Sequence, residues 1–364
     1  MKDYFKLLTI KPILIISGLS IIACSSDDEG STITEEVTEE ITEEVTEEET
    51  TEETVLSVDA SFFLTDTGNV TITTEPCTLS DGTETECYKI VSIHTVEPEE
   101  HEMGPWCPEN ISDDASAGGL WITDDGVVDV DGDFIKNLAE FYDDATWKMY
   151  DEVTGEVTRM TTIEECMNGA DPNQTDFDNY CAQCLPEWVE AEVTYYIPVT
   201  PVRQEESKLL SDGPTLEEPG VDYGPEVRGL AFNGVRFDHP ADIDIILSGY
   251  QIAPVDDAGG HVNNALGYHY HGDTGFVSRI EQEDGHAAMI GYALDGYGIY
   301  AQLDANGEEP TDLDDCRGHY DDIRGYHYHV MPLGNNEFFD CFYGAYVAEE
   351  EGEGGGPGGG GPPN

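Results

Sequence analysis

The sequence predicts an α+β, β-rich fold, with mixed or antiparallel sheets, few short helices and stabilising disulfides. Three observations lead there. Apolar and β-branched runs are short and are broken by turn residues, in a chain holding 39 glycines and 19 prolines. Helical periodicity is confined to three brief segments. Nine cysteines are present, and setting aside the one near the N-terminus leaves an even eight. In an exported chain, an even set reads as disulfides rather than thiolate ligands.

Residues 1–23 read as a signal peptide. Lys2, Lys6 and Lys11 supply positive charge, and the apolar run Pro12 to Ile22 is shorter than the roughly twenty residues of a membrane span. It ends in Ile21-Ile22-Ala23-Cys24, which resembles a bacterial lipoprotein box and makes Cys24 the expected lipidation site. Ser25 to Glu29 follow as an acidic run, resembling the signal that exports lipoproteins to the outer face of the outer membrane. The expected localisation is therefore the cell envelope, with outer-membrane lipid as partner through the N-terminal Cys. Residues 24–56 form a tether rich in Thr-Glu-Glu-Val and Thr-Glu-Glu-Ile, where packed like charges favour an extended chain. Residues 349–364 are Glu, Gly and Pro, a composition that predicts disorder.

Between tether and tail, the expected division is an N-terminal subdomain over 57–190 and a second domain over 191–348. Strands are expected at Val55–Phe63, Gly68–Thr73, Tyr88–His94, Glu192–Val199, Gly229–Phe237, Ile290–Gln302 and Gly344–Val347. Helices are expected at Asp133–Tyr142, with Phe134, Leu138 and Phe141 on one side, at Thr162–Gly169 and at Asp242–Gly249, where Asp242-Ile-Asp-Ile-Ile-Leu fits a strand equally well. The polar stretch Gln204–Gly224 reads as a boundary or a long surface loop. Asp129, Asp131, Asp133 and Glu140 fall at EF-hand positions one, three, five and twelve. Position six is Phe134 where the sharp turn needs glycine, so a solvated turn and helix N-terminus is the better reading.

The eight cysteines are Cys77, Cys87, Cys107, Cys166, Cys181, Cys184, Cys316 and Cys341. Proximity makes Cys77 with Cys87 and Cys316 with Cys341 candidate pairs. Cys181-Ala-Gln-Cys184 has the spacing of a zinc knuckle or redox motif, but no partner motif accompanies it, which favours a structural role. The formal net charge of −64 excludes the basic footprint of a nucleic-acid binder. No sequence feature identifies a protein partner.

Two ungapped stretches carry most of the chemical information. Val255-Asp-Asp-Ala-Gly-Gly-His261 precedes Gly267-Tyr-His-Tyr-His271, and Leu313-Asp-Asp-Cys-Arg-Gly-His319 precedes Gly325-Tyr-His-Tyr-His329 fifty-eight positions later. Six of the ten histidines lie in this duplication. In a strand, His269 and His271 share one face and Tyr268 and Tyr270 the other, and His327 and His329 repeat the arrangement against Tyr326 and Tyr328. Paired imidazoles on one face suit a metal ion, with His261 and His319 folding back as further ligands or close neighbours. Oxidised cysteines leave imidazole and carboxylate as donors, favouring Zn²⁺ or Cu²⁺, and Met289 and Met331 keep copper in view. Since neither copy has a carboxylate at a chelating offset, the two copies are expected to be halves of one site. Between them, His286 and Asp295 are candidate acid–base groups, Asp295 as an imidazole orienter or a proton acceptor. An Asp-Gly turn explains Asp295 equally well.

The run from Leu230-Ala-Phe-Asn-Gly-Val through Gly-Gly-His261, both Gly-Tyr-His-Tyr-His elements, Gly291 to Tyr300 and Leu313 to His319 resembles the YHYH domain family. The resemblance spans about 190 to 348. The segments Gly104-Pro-Trp-Cys-Pro108, Val128 to Phe134 and Cys181 to Glu187 resemble the N-terminal part of longer members. It implies exported, often lipid-anchored bacterial proteins and supplies no reaction. A cysteine is common in that family where this chain has Ala258. Three functions follow as alternatives: a surface-tethered metal-binding protein, a secreted zinc-dependent hydrolase, and a metal-free structural or adhesive module. Whether the chain is an enzyme stays open at this level.

Overall fold

The computed structural model describes residues 54–93, 101–123, 126–169, 175–185, 188, 192–213, 216–263 and 267–348. These belong to one compact unit, Glu52–Asn364. The signal peptide 1–23 with Cys24, the tether up to residue 53, His94, Asp124, Asp125 and the tail 349–364 lie outside the described residues. Among those described, no helix is long and apolar enough to cross a membrane.

The first strands are β1 (Val70–Thr78), β2 (Glu84–Ile93), β3 (Leu120–Thr123), β4 (Gly126–Asp129), β5 (Glu192–Pro198) and β6 (Arg203–Leu209). Then come β7 (Gly229–Ala231), β8 (Arg236–Phe237), β9 (Gly260–Asn263), β10 (Gly267–Tyr270) and β11 (Met289–Ala293). The last are β12 (Gly298–Tyr300), β13 (Gly318–Asp321), β14 (Gly325–His329) and β15 (Cys341–Gly344). Among the described residues three α-helices accompany them: α1 (Gly132–Phe141), α2 (Ile163–Asn168) and α3 (Ile243–Ser248). The β-rich α+β class with few short helices is what the sequence predicts.

Each helix starts where a side chain satisfies a free amide. Asp131, Thr162 and Asp242 accept from Phe134, Glu165 and Ile245, and Thr162 with Glu165 completes a capping box. Asp131 is therefore spent on a cap, in keeping with the helix-terminus reading of the acidic loop. The buried face of α1 is Ile135 and Leu138, not the expected Phe134–Leu138–Phe141 stripe, and Phe141 is 46 % exposed. Phe141 instead packs on the Phe134 and Tyr142 rings at the domain surface.

Several expected elements are revised. Val55–Phe63 is not a strand: it is irregular chain ending in a 3₁₀ turn at Ala60–Phe62, where Asp59 caps Ser61. The apolar pattern there reflects the burial of Val58 and Phe63 rather than strand pairing. The polar stretch after 203 begins with a strand, since β6 pairs antiparallel with β15. Gly229–Phe237 and Ile290–Gln302 are not single strands but hairpins, β7–β8 and β11–β12. Each bends at a glycine with positive φ, Gly234 at 82° and Gly296 at 91°, a conformation other residues adopt at a cost.

All eight cysteines pair, as Cys77–Cys87, Cys107–Cys181, Cys166–Cys184 and Cys316–Cys341. Cys181 and Cys184 thus reach different partners, which makes that motif a structural junction. The main sheet has the order β13-β14-β12-β11-β7-β8-β10-β9. β9–β10 and β13–β14 are antiparallel hairpins at its two edges, docked in parallel on β8 and β12.

This order reads as two equal halves joined at β7 and β11. Gly229-Leu-Ala-Phe-Asn-Gly234 corresponds to Gly291-Tyr-Ala-Leu-Asp-Gly296, sixty-two positions later. The central register pairs Ala231 with Gly291, Leu230 with Tyr292 and Gly229 with Ala293, so it maps onto itself when the halves are exchanged. A local twofold therefore passes through the Leu230–Tyr292 pair. The duplication visible in the histidine motifs is the distal part of a duplicated four-strand unit.

Candidate metal centres

Each edge hairpin builds a histidine cluster by register. His261 on β9 lies opposite His269 on β10, and His319 on β13 lies opposite His327 on β14. Strand alternation then adds His271 and His329 on the same side. Close packing of the hairpins depends on glycine: a Cβ at Gly260 would sit 2.5 Å from Tyr268 Cζ, and one at Gly318 would sit 2.0 Å from Tyr326 Oη.

The opposite face of each hairpin is anchored by tyrosine. Tyr268 donates its hydroxyl to Asp256 at 2.9 Å, and Tyr326 donates to Asp314 at 2.9 Å. The same aspartates accept from the backbone amides of Ala258 and Gly260, and of Cys316 and Gly318. One carboxylate therefore fixes both the turn before the first histidine and the strand bearing the other two.

In the first cluster, His261, His269 and His271 bring ligand atoms within 4.8 Å of one another. Their Nδ1 atoms face the carbonyls of Ala253, Gly267 and His239 at 3.3, 3.0 and 2.8 Å. A carbonyl can only accept, so each Nδ1 carries the proton and each neutral ring turns its Nε2 lone pair inward. His261 and His271 Nε2 stand 3.1 Å apart. Two lone pairs cannot satisfy each other, and a shared cation would.

The second cluster repeats this with a fourth imidazole. His319, His327 and His329 meet His286, with Nε2–Nε2 separations of 2.9 Å for 319–327, 3.1 Å for 327–286 and 3.2 Å for 329–319. Every Nδ1 is again spoken for, by Asp312, Gly325 O, Ala301 O and Ala287 O at 2.9 to 3.0 Å. Tetrahedral Zn–N bonds near 2.0–2.1 Å place donor atoms about 3.3 Å apart, close to these separations. Such outward hydrogen bonds also fix tautomer and ring orientation, as they do for metal-bound histidines generally.

Burial reinforces the neutral state. It pushes His269 and His271 well below the usual histidine range, with neighbouring imidazoles adding to the effect, and lowers His261 and His286 too. For the same first reason, His327 and His329 are each held at about 3. Neutral imidazole is the ligand form.

The structure thus distributes the six motif histidines over two clusters, either of which could hold a metal ion. They are not halves of one site, because the hairpins occupy opposite edges of the sheet. The lack of a chelating carboxylate in each copy does not force the copies together, because the second cluster reaches four donors with imidazole alone. His286, singled out from the sequence as an acid–base candidate, joins that cluster. Asp295 faces the other way: it accepts from Tyr328 Oη at 2.5 Å and from the amides of Gly344 and Tyr297. Its counterpart Asn233 donates to Tyr270 Oη at 2.9 Å and accepts from the Val235 amide. Asp295 is thus a turn residue that positions the tyrosine between the two histidines.

Sequence reasoning missed Asp238. It is buried beside the first cluster, with Oδ2 3.8 Å from His269 Nε2, and Arg236 pairs with it. Burial alone would raise its pKa, but the adjacent guanidinium overrides this and keeps the carboxyl ionised. A cavity of about 270 Å³ adjoins this cluster, lined among others by Trp106, Met160, Asp238, Ile246 and Val262. The only available signal was the duplication itself, in which Asp238 corresponds to Tyr300.

Fold and site together define a β-rich, disulfide-bonded protein whose duplicated sheet carries a histidine cluster at each edge. Residues 194–312 match the model of the YHYH protein family, so the chain carries a YHYH domain. That match includes the first cluster and His286, and ends before His319. No curated protein and no solved structure matches the chain.

Proposed function

We propose that this is an exported, lipid-anchored surface protein whose YHYH domain binds two transition-metal ions, Zn²⁺ or Cu²⁺, one in each histidine cluster. The observation that carries the metal reading is the convergence of Nε2 lone pairs at 2.9 to 3.2 Å while every Nδ1 donates outward. All-imidazole donor sets suit Zn²⁺ and Cu²⁺ better than hard cations such as Ca²⁺, which take oxygen ligands. Anchoring and export rest on the N-terminal sequence, Ile21-Ile22-Ala23-Cys24 and the acidic residues after it.

The test is elemental analysis of untagged protein after reconstitution with Zn²⁺ or Cu²⁺ and removal of excess. Two ions per chain are expected, with His269→Ala and the double variant His327→Ala/His329→Ala each losing one, since each leaves its cluster with two imidazoles. A chain that retains no stoichiometric metal refutes the reading. For the anchor, Cys24→Ser is expected to move the protein from the membrane fraction to the soluble one.

A further inference from the structure

The two clusters differ in donor count, and that difference has chemical consequences. The second closes its set with His286. Among the described residues no equivalent reaches the first: the residues fifty-eight and sixty-two positions before His286 are Arg228 and Gly224. Arg228 is buried against Glu337 and Asp212, on other business.

We propose, given metal binding at both clusters, that the His261–His269–His271 site leaves one coordination position open to the adjoining cavity and takes a small anion there, whereas the four-imidazole site is closed. Four-coordinate sites with a full protein donor set are characteristically structural, and three protein donors leave room for an exogenous fourth. Asp238 does not converge with the three imidazoles: among the described residues at this cluster, only His261, His269 and His271 bring ligand atoms within 4.8 Å of one another, and the Asp238 oxygens are turned to Arg236 and to the His239 amide.

Charge favours an anion. Three neutral imidazoles leave the ion its full positive charge, and the Asp238 carboxylate beside them is offset by its guanidinium partner. The space fits as well: about 270 Å³ is many times the roughly 10–15 Å³ that a single water requires, which leaves room for acetate or a somewhat larger carboxylate. The walls contributed by Trp106, Met160, Ile246 and Val262 are apolar, while His239, Ala241 and Ala253 at its margin are partly exposed and give access to solvent. Anions in such a setting are held by the metal with little competition from protein donors.

Azide on the Co²⁺-substituted, untagged full chain tests this, with the visible ligand-field bands as readout. Wild type and the double variant His327→Ala/His329→Ala are expected to show an azide-dependent band shift. His269→Ala, keeping the ion of the other cluster, is expected to show none. His286→Ala removes the fourth imidazole, and its second site should become azide-responsive. An azide shift that persists in His269→Ala, or its absence in His327→Ala/His329→Ala with one Co²⁺ bound, overturns the inference while leaving metal binding intact. Wild type that binds no Co²⁺, Zn²⁺ or Cu²⁺ refutes the metal reading and this inference with it.

Discussion

Asp295→Asn probes the one position where the two halves differ in charge at an otherwise equivalent turn. Asp295 is fully buried, and burial raises its pKa from 3.8 to about 6 despite hydrogen bonds from Tyr328, Gly344 and Tyr297. The folded chain therefore holds this proton more tightly than the unfolded chain does. The associated stability is complete below about 3.8 and is lost as pH rises through about 6. The interval corresponds to about 3 kcal/mol, of which about 2 kcal/mol is recovered between pH 7 and pH 4. Asparagine cannot titrate. In the geometry of Asn233 it would donate to the tyrosine and accept from the turn amide, leaving the Gly344 amide without its acceptor. That orphan costs about 1–3 kcal/mol, comparable to the cost of burying the ionised carboxylate at pH 7. Urea denaturation of metal-free protein, followed by tryptophan fluorescence, should find the two proteins similar at pH 7. At pH 4 the variant should be weaker by about 2 kcal/mol. A gap between the proteins that is the same at both pH values would refute the reasoning, since all shared titrations cancel in the comparison.

Gly318→Ala touches no imidazole yet forces a Cβ into Tyr326, so it should release the ion of the four-imidazole cluster while the other is retained, as read by elemental analysis. Replacing Cys316 and Cys341 together by serine removes a bridge closing 25 residues and should cost about 3.5 kcal/mol on the chain-entropy estimate, measured by denaturation. Metal-free protein should also lose stability as pH falls below 6.5, because His327 and His329 stay neutral in the folded chain down to about 3 while the unfolded chain takes up protons. Between pH 6.5 and 5 each contributes about 2 kcal/mol, opposing the smaller gain at Asp295. Metal-free protein with a flat profile across that range would contradict the burial of these rings.

The histidine faces were legible because strand alternation is a local rule: Tyr-His-Tyr-His has one interpretation wherever it is extended. The local cysteine pairs and the positions of α1 and α2 were legible for the same reason, whereas the segment that forms α3 reads equally as a strand. The two-site arrangement was not, since which hairpin lies beside which depends on sheet order. The larger duplication was hidden by a change of offset. Between Ala231 and His261 the chain runs four residues longer than between Ala293 and His319, room taken by α3, so an ungapped comparison sees only the distal segment. Asp238 was invisible because its partner across the duplication is a tyrosine. Val55–Phe63 shows the opposite error, where apolar residues are buried against the sheet without joining it.

The self-mapping register at Leu230 and Tyr292 also bears on how such a chain arises. A molecule carrying one half alone would end its sheet at β7, with unpaired amides and carbonyls along that edge. The cheapest partner for that edge is the same edge of an identical molecule, giving a C2 dimer with an isologous interface. The present chain holds the sheet arrangement of such a dimer within one covalent chain. Halves joined in this way need not be identical, and here they differ at the residues that decide how many donors each cluster owns.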